Sequence, residues 1–283
     1  MLFDDVMKIY MDAKTHRSKD RDLRALGWLQ PYFSGRRISE LRRSDVRGYV
    51  THRKQRGVCE ATVLRELRVF SAAINFARVE CEDASLPNPV RNLGLSSGDR
   101  RVRWLTQEEA SALVCAAQSR RRPHLAAFIK LALGTGCRKN ELLGLEWRRV
   151  DFAQGMFWLD AHHTKNGKRR VVPLNPLALE ALVELEAWGQ VNSPGARWVF
   201  AMEGGNRRTS LQETFRRACC QAGISDFRIH DMRHTFASWL VMQGVSLYVV
   251  KDLLGHSSIS ITERYAHLSP DQGRLAVQKI SLC

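Results

Sequence analysis

Apolar residues recur at helical spacing through most of the first ninety residues. In RDLRALGWLQPYF, residues 21–33, one side of a helix carries Leu23, Leu26 and Trp28–Leu29. A second helix is predicted over ATVLRELRVFSAAINFARV, where the apolar positions are Val63, Leu67, Phe70, Ala73, Ile74 and Ala77. Arg65 and Arg68 lie off this apolar face, so they either contact phosphates or simply face the solvent. The pattern predicts a mostly helical domain over residues 1–95.

The pattern breaks in the segment SLPNPVRNLGLSSGDRRVR, residues 85–103. Pro, Gly, Ser and Asn cluster there and basic residues close the segment, a composition typical of interdomain linkers. We place the linker at residues 96–104 and a second domain, with a C-terminal tail, at residues 105–283. Thr106 followed three residues later by Glu109 forms a capping box, which predicts that a helix begins there.

The second domain mixes helical and strand patterns. The apolar helix HLAAFIKLAL stops at the glycines of 134–136, and helical spacing resumes in RKNELLGLEW. Two short strands, GMFWLDA and KRRVVPL, flank the Asn166–Gly167 hairpin signal. Further helices are predicted at 176–188, 211–222, 231–243 and 246–254, the last capped by Gly255. The predicted fold class is therefore mainly α with a small antiparallel β-sheet, an α+β arrangement.

Charge is the compositional feature that bears on function. The chain carries 44 Lys and Arg against 29 Asp and Glu, a net charge of +15. The first hundred residues hold 19 basic and 13 acidic side chains, so the excess is spread over both predicted domains. A polyanion that contacts both domains explains this spread, and double-stranded DNA is the first candidate. A merely solvated basic surface is the alternative.

Compartment signals favour the cytoplasm. The N-terminus MLFDDVMKIY is acidic where a secretion signal is basic. The longest largely apolar stretches, such as Leu125–Leu133 with Lys130 inside it, are shorter than the roughly 18 residues of a membrane-spanning helix. Seven scattered cysteines show no C-x-x-C spacing, which favours incidental thiols over a zinc or redox site.

Four short segments of the second domain concentrate cations and hydrogen-bond donors: Arg138 after the glycine turn, Lys165 at the hairpin tip, HDMRH at 230–234 and GH at 255–256. A basic residue is poorly placed where a helix begins, because the helix dipole favours anions there. The position of Arg138 therefore suggests a bound anion nearby, with Glu141 as a cap of the same helix.

The histidines favour an anion site over a metal site. His230 and His234 have the i, i+4 spacing of metal ligands, but no carboxylate or cysteine stands at a companion spacing and Arg233 lies between them. His230 and Arg233 form a better pair for an anionic group. His256 follows a helix-ending glycine, where the dipole is expected to favour the protonated imidazole.

These side chains suit attack on a phosphodiester, whose transition state spreads negative charge over oxygens that arginine holds well. A lysine can donate the proton that the leaving oxygen needs. The nucleophile is then sought among the five tyrosines. Tyr10, Tyr32 and Tyr49 lie in the first domain, and the apolar neighbours of Tyr248 predict core packing. Tyr265 combines a basic surrounding with a position shortly after His256, and nearby cations would favour its phenolate.

Four boxes resemble the tyrosine recombinase (phage integrase) family. GTGCRKNELLGL is similar to its first arginine box, TKNGKRRVVPL to its hairpin lysine segment, HDMRHTFAS to its H-x-x-R box and LLGHSSISITERYAHL to its final box. The resemblance covers about residues 105–270, and more loosely 1–95, which resembles the helical core-binding domain of these enzymes.

The resemblance implies a role for each matching residue. Arg138 and Arg233 would hold the scissile phosphate, with His230 and His256 beside them. Lys165 would be the general acid, with Lys168 as the alternative, and Tyr265 would form a 3′-phosphotyrosyl bond with DNA. A tyrosyl phosphodiester is close in energy to the bond that it replaces, so resealing needs no ATP. The sequence also shows neither a phosphate-binding P-loop nor carboxylates clustered for a metal, so no cofactor is expected.

The resemblance also implies an assembly. Family members form a C-shaped clamp on duplex DNA, and four protomers exchange strands through a Holliday junction, sometimes with accessory DNA-bending proteins. The tail, with Leu275, Ala276, Val277 and Ile280 at helical spacing, packs either on its own domain or on a neighbouring protomer. The chain is either a two-domain recombinase or a piece that lacks an N-terminal arm-binding domain. Two other functions stay open: relaxation of supercoils, as by a type IB topoisomerase, and DNA binding without catalysis.

Overall fold

The chain divides into two compact units, Met1–Arg101 and Val102–Cys283. The computed structural model describes residues 1–15, 19–91, 93–96, 98, 103–118, 123–161, 169–269, 277 and 280. Each unit has a hydrophobic core of its own. No helix in these described ranges combines the length and apolarity that crossing a bilayer requires.

The first unit is helical in its described part, with α1 at Phe3–Ala13, α2 at Lys19–Phe33, α3 at Arg43–Gln55 and α4 at Glu60–Glu80. A short 3₁₀ turn, Ile38–Glu40, precedes α3. The apolar face predicted for α4 is confirmed, because all six of its residues are buried: Val63, Leu67, Phe70, Ala73, Ile74 and Ala77. Arg65 and Arg68 are exposed on the same helix.

The apolar face predicted for α2 was wrong at two positions. Leu23 and Trp28 are 46% and 49% exposed, whereas this helix buries Ala25, Leu29 and Phe33. The ring of Trp28 lies over the guanidinium of Arg53, 4.1 Å from ring centroid to Cζ. Because an indole ring attracts a cation through its face, Trp28 covers a charged side chain instead of entering the core.

The second unit combines helices with a small sheet. Its described helices are α5 Gln107–Ala117, α6 His124–Thr135, α7 Lys139–Leu143, α8 Pro176–Asn192, α9 Gln212–Gln221, α10 Asp231–Met242 and α11 Leu247–Leu254. The described strands β1 Val150–Asp151, β2 Met156–Leu159 and β3 Arg170–Pro173 pair antiparallel in the order β1-β2-β3. Short 3₁₀ helices occupy Trp147–Arg149, Ile259–Ile261 and Glu263–Leu268. The predicted fold class, mainly α with a small antiparallel sheet, is confirmed.

Local signals fix several element ends near the site. The Thr106 side chain accepts from the Glu109 amide at the start of α5, as the capping box predicts. Helices α6 and α11 end at Gly136 and Gly255, both in the left-handed region at φ 63° and 64°. A Cβ at Gly136 would also lie 2.4 Å from the ring of Phe236, so space as well as backbone conformation requires glycine there.

The 3₁₀ helix Glu263–Leu268 packs on α10 and α11. The side chains of Ala237, Val241, Val250, Leu254 and Tyr265 form one buried cluster, which joins α10, α11 and the 3₁₀ helix Glu263–Leu268. This cluster places the last of the four sequence boxes beside the H-x-x-R box. In the tail, Val277 and Ile280 are exposed, and the two other apolar positions of the predicted tail helix lie outside the described residues.

Candidate active site

A pocket of about 260 Å³ in the second unit brings the sequence boxes together. Its lining consists of Arg138, His230, Arg233, His234, His256, Ser257, Ile261, Arg264 and Tyr265. Five of the six residues predicted from the sequence are in this lining. The sixth, Lys165, and its alternative, Lys168, lie outside the described residues. The pocket therefore gathers side chains from the start of α7, from α10 and from the segment after α11.

Arg138 lies at the N-cap of α7 and is held by Glu141. The backbone N–H of Arg138 donates to Glu141 Oε2 at 2.8 Å, and its Nη1 donates to Oε1 at 2.8 Å. Arg170, on β3, donates to the same carboxylate at 2.8 and 3.1 Å. The misfit of a cation at a helix start is thus offset by an internal anion, so it does not by itself indicate a ligand.

The Glu141 carboxylate is ionised although it is only 2% exposed. Burial raises its pKa, but the hydrogen bonds and positive charges of Arg170 and Arg138 outweigh burial and lower the pKa below its ordinary value. One buried carboxylate therefore holds two guanidinium groups, and it fixes the orientation of Arg138 at the pocket.

Glu141→Gln should lower the free energy of unfolding at neutral pH by about 3 kcal/mol, because it leaves two guanidinium groups beside a neutral amide in a buried site. Urea unfolding measures this change. Glu213→Gln is the matched control, since Glu213 pairs with Arg216 and Arg217 on an exposed surface and should show no measurable change. Equal effects of the two substitutions would contradict the role given to Glu141.

Arg233 is 3% exposed and is held by two helix ends. Its Nη1 donates to the carbonyl of Gly136 at 2.9 Å, and its Nη2 donates to the carbonyl of Leu254 at 2.7 Å. The C-termini of α6 and α11 carry partial negative charge, which favours a cation there. Burial and the charge of Arg138 lower the pKa of Arg233 to about 10, so the guanidinium stays protonated at neutral pH.

His256 is neutral, contrary to the expectation from the helix end. Its Nδ1 lies 2.8 Å from Thr262 Oγ1. Burial, followed by the charges of Arg233 and Arg138, lowers the pKa of His256 to about 3. Burial and Arg233 also lower the pKa of His230. Desolvation and two arginines thus outweigh the dipole of α11, and the pocket draws its positive charge from arginines.

The depressed pKa of His256 predicts a loss of stability in acid. The unfolded imidazole takes up a proton near pH 6.5, whereas the folded one does so only near pH 3. Between these values the unfolded state binds more protons, so the free energy of unfolding falls as the pH is lowered through this window. His256→Gln should show a smaller fall between pH 7.5 and pH 5 in urea unfolding. The same pH dependence in both proteins would contradict this prediction.

Tyr265 is both a packed aromatic and a pocket residue. It is 2% exposed, and its ring packs in the cluster with α10 and α11. Its hydroxyl lies 2.5 Å from Nδ1 of His234. Burial raises the pKa of Tyr265, although Arg264 and Arg233 act to lower it. The nearby arginines thus favour the phenolate, as the sequence predicts, but burial outweighs them and the phenol keeps its proton.

Three residues near the pocket were missed by sequence reasoning. His234 had been considered only as a metal ligand, Arg264 had no motif of its own, and Arg170 lay in a strand pattern. Arg264 lines the pocket, and its buried Nε has no hydrogen-bond partner among the described residues. The signal that could have found two of them is adjacency, because His234 directly follows Arg233 and Arg264 directly precedes Tyr265.

The burial predicted for Tyr248 was wrong. Its side chain is 69% exposed, although it stands among apolar residues in α11. This helix buries Val250 and Leu254, and the helical period turns Tyr248 away from that face. Tyr248 is not among the residues that line the pocket, so Tyr265 is the tyrosine that meets the arginines.

Comparison with known proteins places this chain in a family. The model of the Phage integrase family matches residues 103–272, more than half of the chain. The integrase of Salmonella phage P22 is 32% identical over 186 residues, which cover 61% of this chain and 46% of that protein. The chain thus spans about half the length of this relative. Tyrosine recombinase XerC of Bacillus pumilus is 28% identical over 254 residues, which cover 84% of this chain and 80% of that protein.

Solved structures show the same fold. The Tn1549 transposon integrase in complex with circular intermediate DNA has a TM-score of 0.80 at 20% identity, and the match covers 99% of this chain and 100% of that one. A lambda integrase dimer bound to a core site has a TM-score of 0.75 at 19% identity, with 97% of each chain covered. Since the family model spans more than half of the sequence, the protein belongs to the phage integrase family of tyrosine recombinases.

Proposed function

We propose that this chain is a site-specific DNA recombinase in which Tyr265 attacks a DNA phosphodiester. The observation that carries the proposal is the convergence of Arg138, Arg233 and Tyr265 in one pocket. A guanidinium group donates parallel hydrogen bonds to phosphate oxygens, and two such groups suit the charge that develops in phosphoryl transfer. The buried Tyr265 beside these groups is the proposed nucleophile.

Cleavage is proposed as a direct displacement at phosphorus. A bond forms between Tyr265 Oη and the phosphorus, and the bond to the 5′ oxygen breaks, which leaves a 3′-phosphotyrosyl ester and a free 5′ hydroxyl. Lys165 supplies the proton for the leaving oxygen as general acid, with Lys168 as the alternative. His230 and His256, neutral at neutral pH, act as hydrogen-bond partners of the phosphate instead of as cations.

Strand exchange follows from the reversibility of this ester. A 5′ hydroxyl from a second duplex attacks the phosphorus of the ester, the bond to Tyr265 Oη breaks, and the strand is resealed. When the second duplex exchanges its strand in the same way, the product is a Holliday junction. The exchanged bonds are of similar energy, so the cycle needs no ATP. The arginines hold the charge that develops on the phosphate, so we propose that no metal ion is needed. Four protomers on two paired DNA sites provide the four active tyrosines, and accessory DNA-bending proteins can bring the sites together.

The first unit is proposed to bind the DNA backbone through Arg65 and Arg68. The double substitution of both to alanine should reduce the slope of log affinity against log salt by about 0.9 for each phosphate contact that is lost. Arg37→Ala is the matched control, because this exposed arginine already pairs with Glu40. Fluorescence anisotropy with duplex DNA over a series of salt concentrations measures the slope. An unchanged slope in the double variant would assign these arginines to solvation alone.

The proposed function is tested with a supercoiled plasmid that carries two copies of the DNA site. The site is obtained by sequencing host DNA ends trapped on the protein with SDS. With EDTA present and ATP absent, the proposal predicts two recombinant circles and four-way junction intermediates. Relaxed plasmid without recombinants would favour type IB topoisomerase activity. Salt-sensitive binding without any broken DNA would favour a DNA-binding protein without catalysis.

A further inference from the structure

The hydroxyl of Tyr265 has a partner that the proposed catalytic set does not use. His234, on α10, places its Nδ1 2.5 Å from Tyr265 Oη, and the two ring centroids are 5.8 Å apart. Both residues line the pocket. A phenol that attacks phosphorus must release its proton, and a base within hydrogen-bond reach is the group that receives it.

We propose that His234 accepts the proton of Tyr265 during DNA cleavage and returns it during resealing. This inference rests on the proposed function, which assigns the attack to Tyr265 but names no acceptor for its proton. It adds His234 as a seventh residue to the six proposed catalytic residues, and it gives the second histidine of HDMRH a role in the reaction.

The other pocket residues are less suited to this role. The Nδ1 of His256 is engaged with Thr262 Oγ1 at 2.8 Å. His230 packs against His234 itself, because the two rings lie edge-on with centroids 5.2 Å apart, so His234 is the histidine that contacts the Tyr265 hydroxyl. Arginine side chains stay protonated at neutral pH and cannot accept a proton. Among the described residues, His234 is the side chain in hydrogen-bond contact with the Tyr265 hydroxyl.

The proton transfer is balanced in both directions. In cleavage, the neutral His234 carries its proton on Nε2, Nδ1 takes the Tyr265 proton, and the phenolate oxygen bonds to phosphorus. The 5′ oxygen leaves with a proton from the general acid. In resealing, a 5′ hydroxyl gives its proton to the deprotonated general acid and attacks the phosphorus, the bond from phosphorus to Tyr265 breaks, and the His234 imidazolium returns its proton to the departing phenolate. No oxidant, metal or further reactant is required.

The charges around His234 couple this transfer to DNA. Arg233 lies beside it on α10, Arg264 comes from the last 3₁₀ helix, and Arg138 comes from the start of α7. A bound phosphodiester adds negative charge to the same pocket, which offsets the arginines and makes protonation of His234 more favourable.

The test compares His234→Gln with His234→Ala in single-turnover cleavage. The probe is a nicked duplex with the sequence recovered from the trapped DNA ends, on which the nick prevents resealing. Glutamine can accept the Tyr265 hydrogen bond but cannot take a proton, so both variants should cleave at least about 100-fold more slowly than the wild type. Their affinity for the duplex should stay within about twofold, since no phosphate-binding cation is removed.

Chemical rescue separates proton transfer from a structural role. Added imidazole should restore cleavage by His234→Ala, and a series of substituted imidazoles should restore it more strongly as the base becomes stronger. Tyr265→Phe, the control, should not respond to these bases. Wild-type cleavage by His234→Gln would overturn the proposal, because the hydrogen bond alone would then suffice. Absence of rescue in His234→Ala would overturn it too.

Failure of the wider proposal would look different. If the wild-type protein forms no covalent adduct on the probe, the proposed function itself is wrong and the role of His234 falls with it. If the wild type forms the adduct and His234→Gln forms it at the same rate, only the role of His234 is wrong.

Discussion

Tyr265→Phe should abolish covalent attachment to DNA and leave the fold intact. Phenylalanine keeps the ring that packs in the cluster of α10 and α11, and only the hydroxyl and its hydrogen bond to His234 are lost. The free energy of unfolding should therefore fall by only about 1 kcal/mol. Loss of the nucleophile should remove cleavage altogether, since removal of the nucleophile from a serine protease costs about a million-fold in rate.

Tyr248→Phe is the matched control for this substitution. Tyr248 is exposed on α11 and lies outside the pocket lining. Single-turnover cleavage of the nicked duplex and thermal unfolding should both match the wild type in this control. Cleavage that survives Tyr265→Phe, or that disappears in Tyr248→Phe, would contradict the assignment of the nucleophile.

Arg233→Lys should reduce the rate of cleavage by at least about 100-fold, because one donor to the developing charge is lost. The variant should still bind DNA. The guanidinium spans the carbonyls of Gly136 and Leu254, and an ammonium group on a single point cannot reproduce that fork. The loss of one buried hydrogen bond should also lower the free energy of unfolding by about 1–3 kcal/mol.

Three measurements separate these effects. Single-turnover cleavage at saturating protein gives the rate of the reaction, fluorescence anisotropy gives the affinity for DNA, and urea unfolding gives the stability. Arg216→Lys is the control, since Arg216 is exposed and pairs with Glu213, and it should behave as the wild type. A variant Arg233→Lys that binds weakly but cleaves its bound DNA at the normal rate would contradict a role in the reaction. It would instead assign Arg233 to DNA binding.

Local features of the fold were predictable because local interactions fix them. The start of α5 follows from Thr106 and Glu109, and the ends of α6 and α11 follow from glycines that adopt positive φ. The apolar face of α4 follows from its helical period. Each of these depends on residues within a few positions of one another, so the sequence alone determines it.

Features set by distant neighbours were not predictable in this way. The protonation of His256 depends on burial and on Arg233 and Arg138, which reach it from other elements. The second cation on Glu141 comes from Arg170 in the sheet. The exposure of Tyr248 depends on which face of α11 packs on α10. The boxes identified five of the residues that line the pocket, whereas the roles of His234 and Arg264 and the charge state of the pocket required the three-dimensional arrangement.

The most direct measurement locates the residue that becomes bonded to DNA. The wild-type adduct is formed in EDTA, trapped with SDS, and digested with nuclease and trypsin. Mass spectrometry should then find a nucleotide on the peptide 265–274, which follows cleavage after Arg264 and carries Tyr265 as its only tyrosine. A nucleotide on any other residue, or an adduct that forms only with a metal ion, would contradict cleavage by Tyr265.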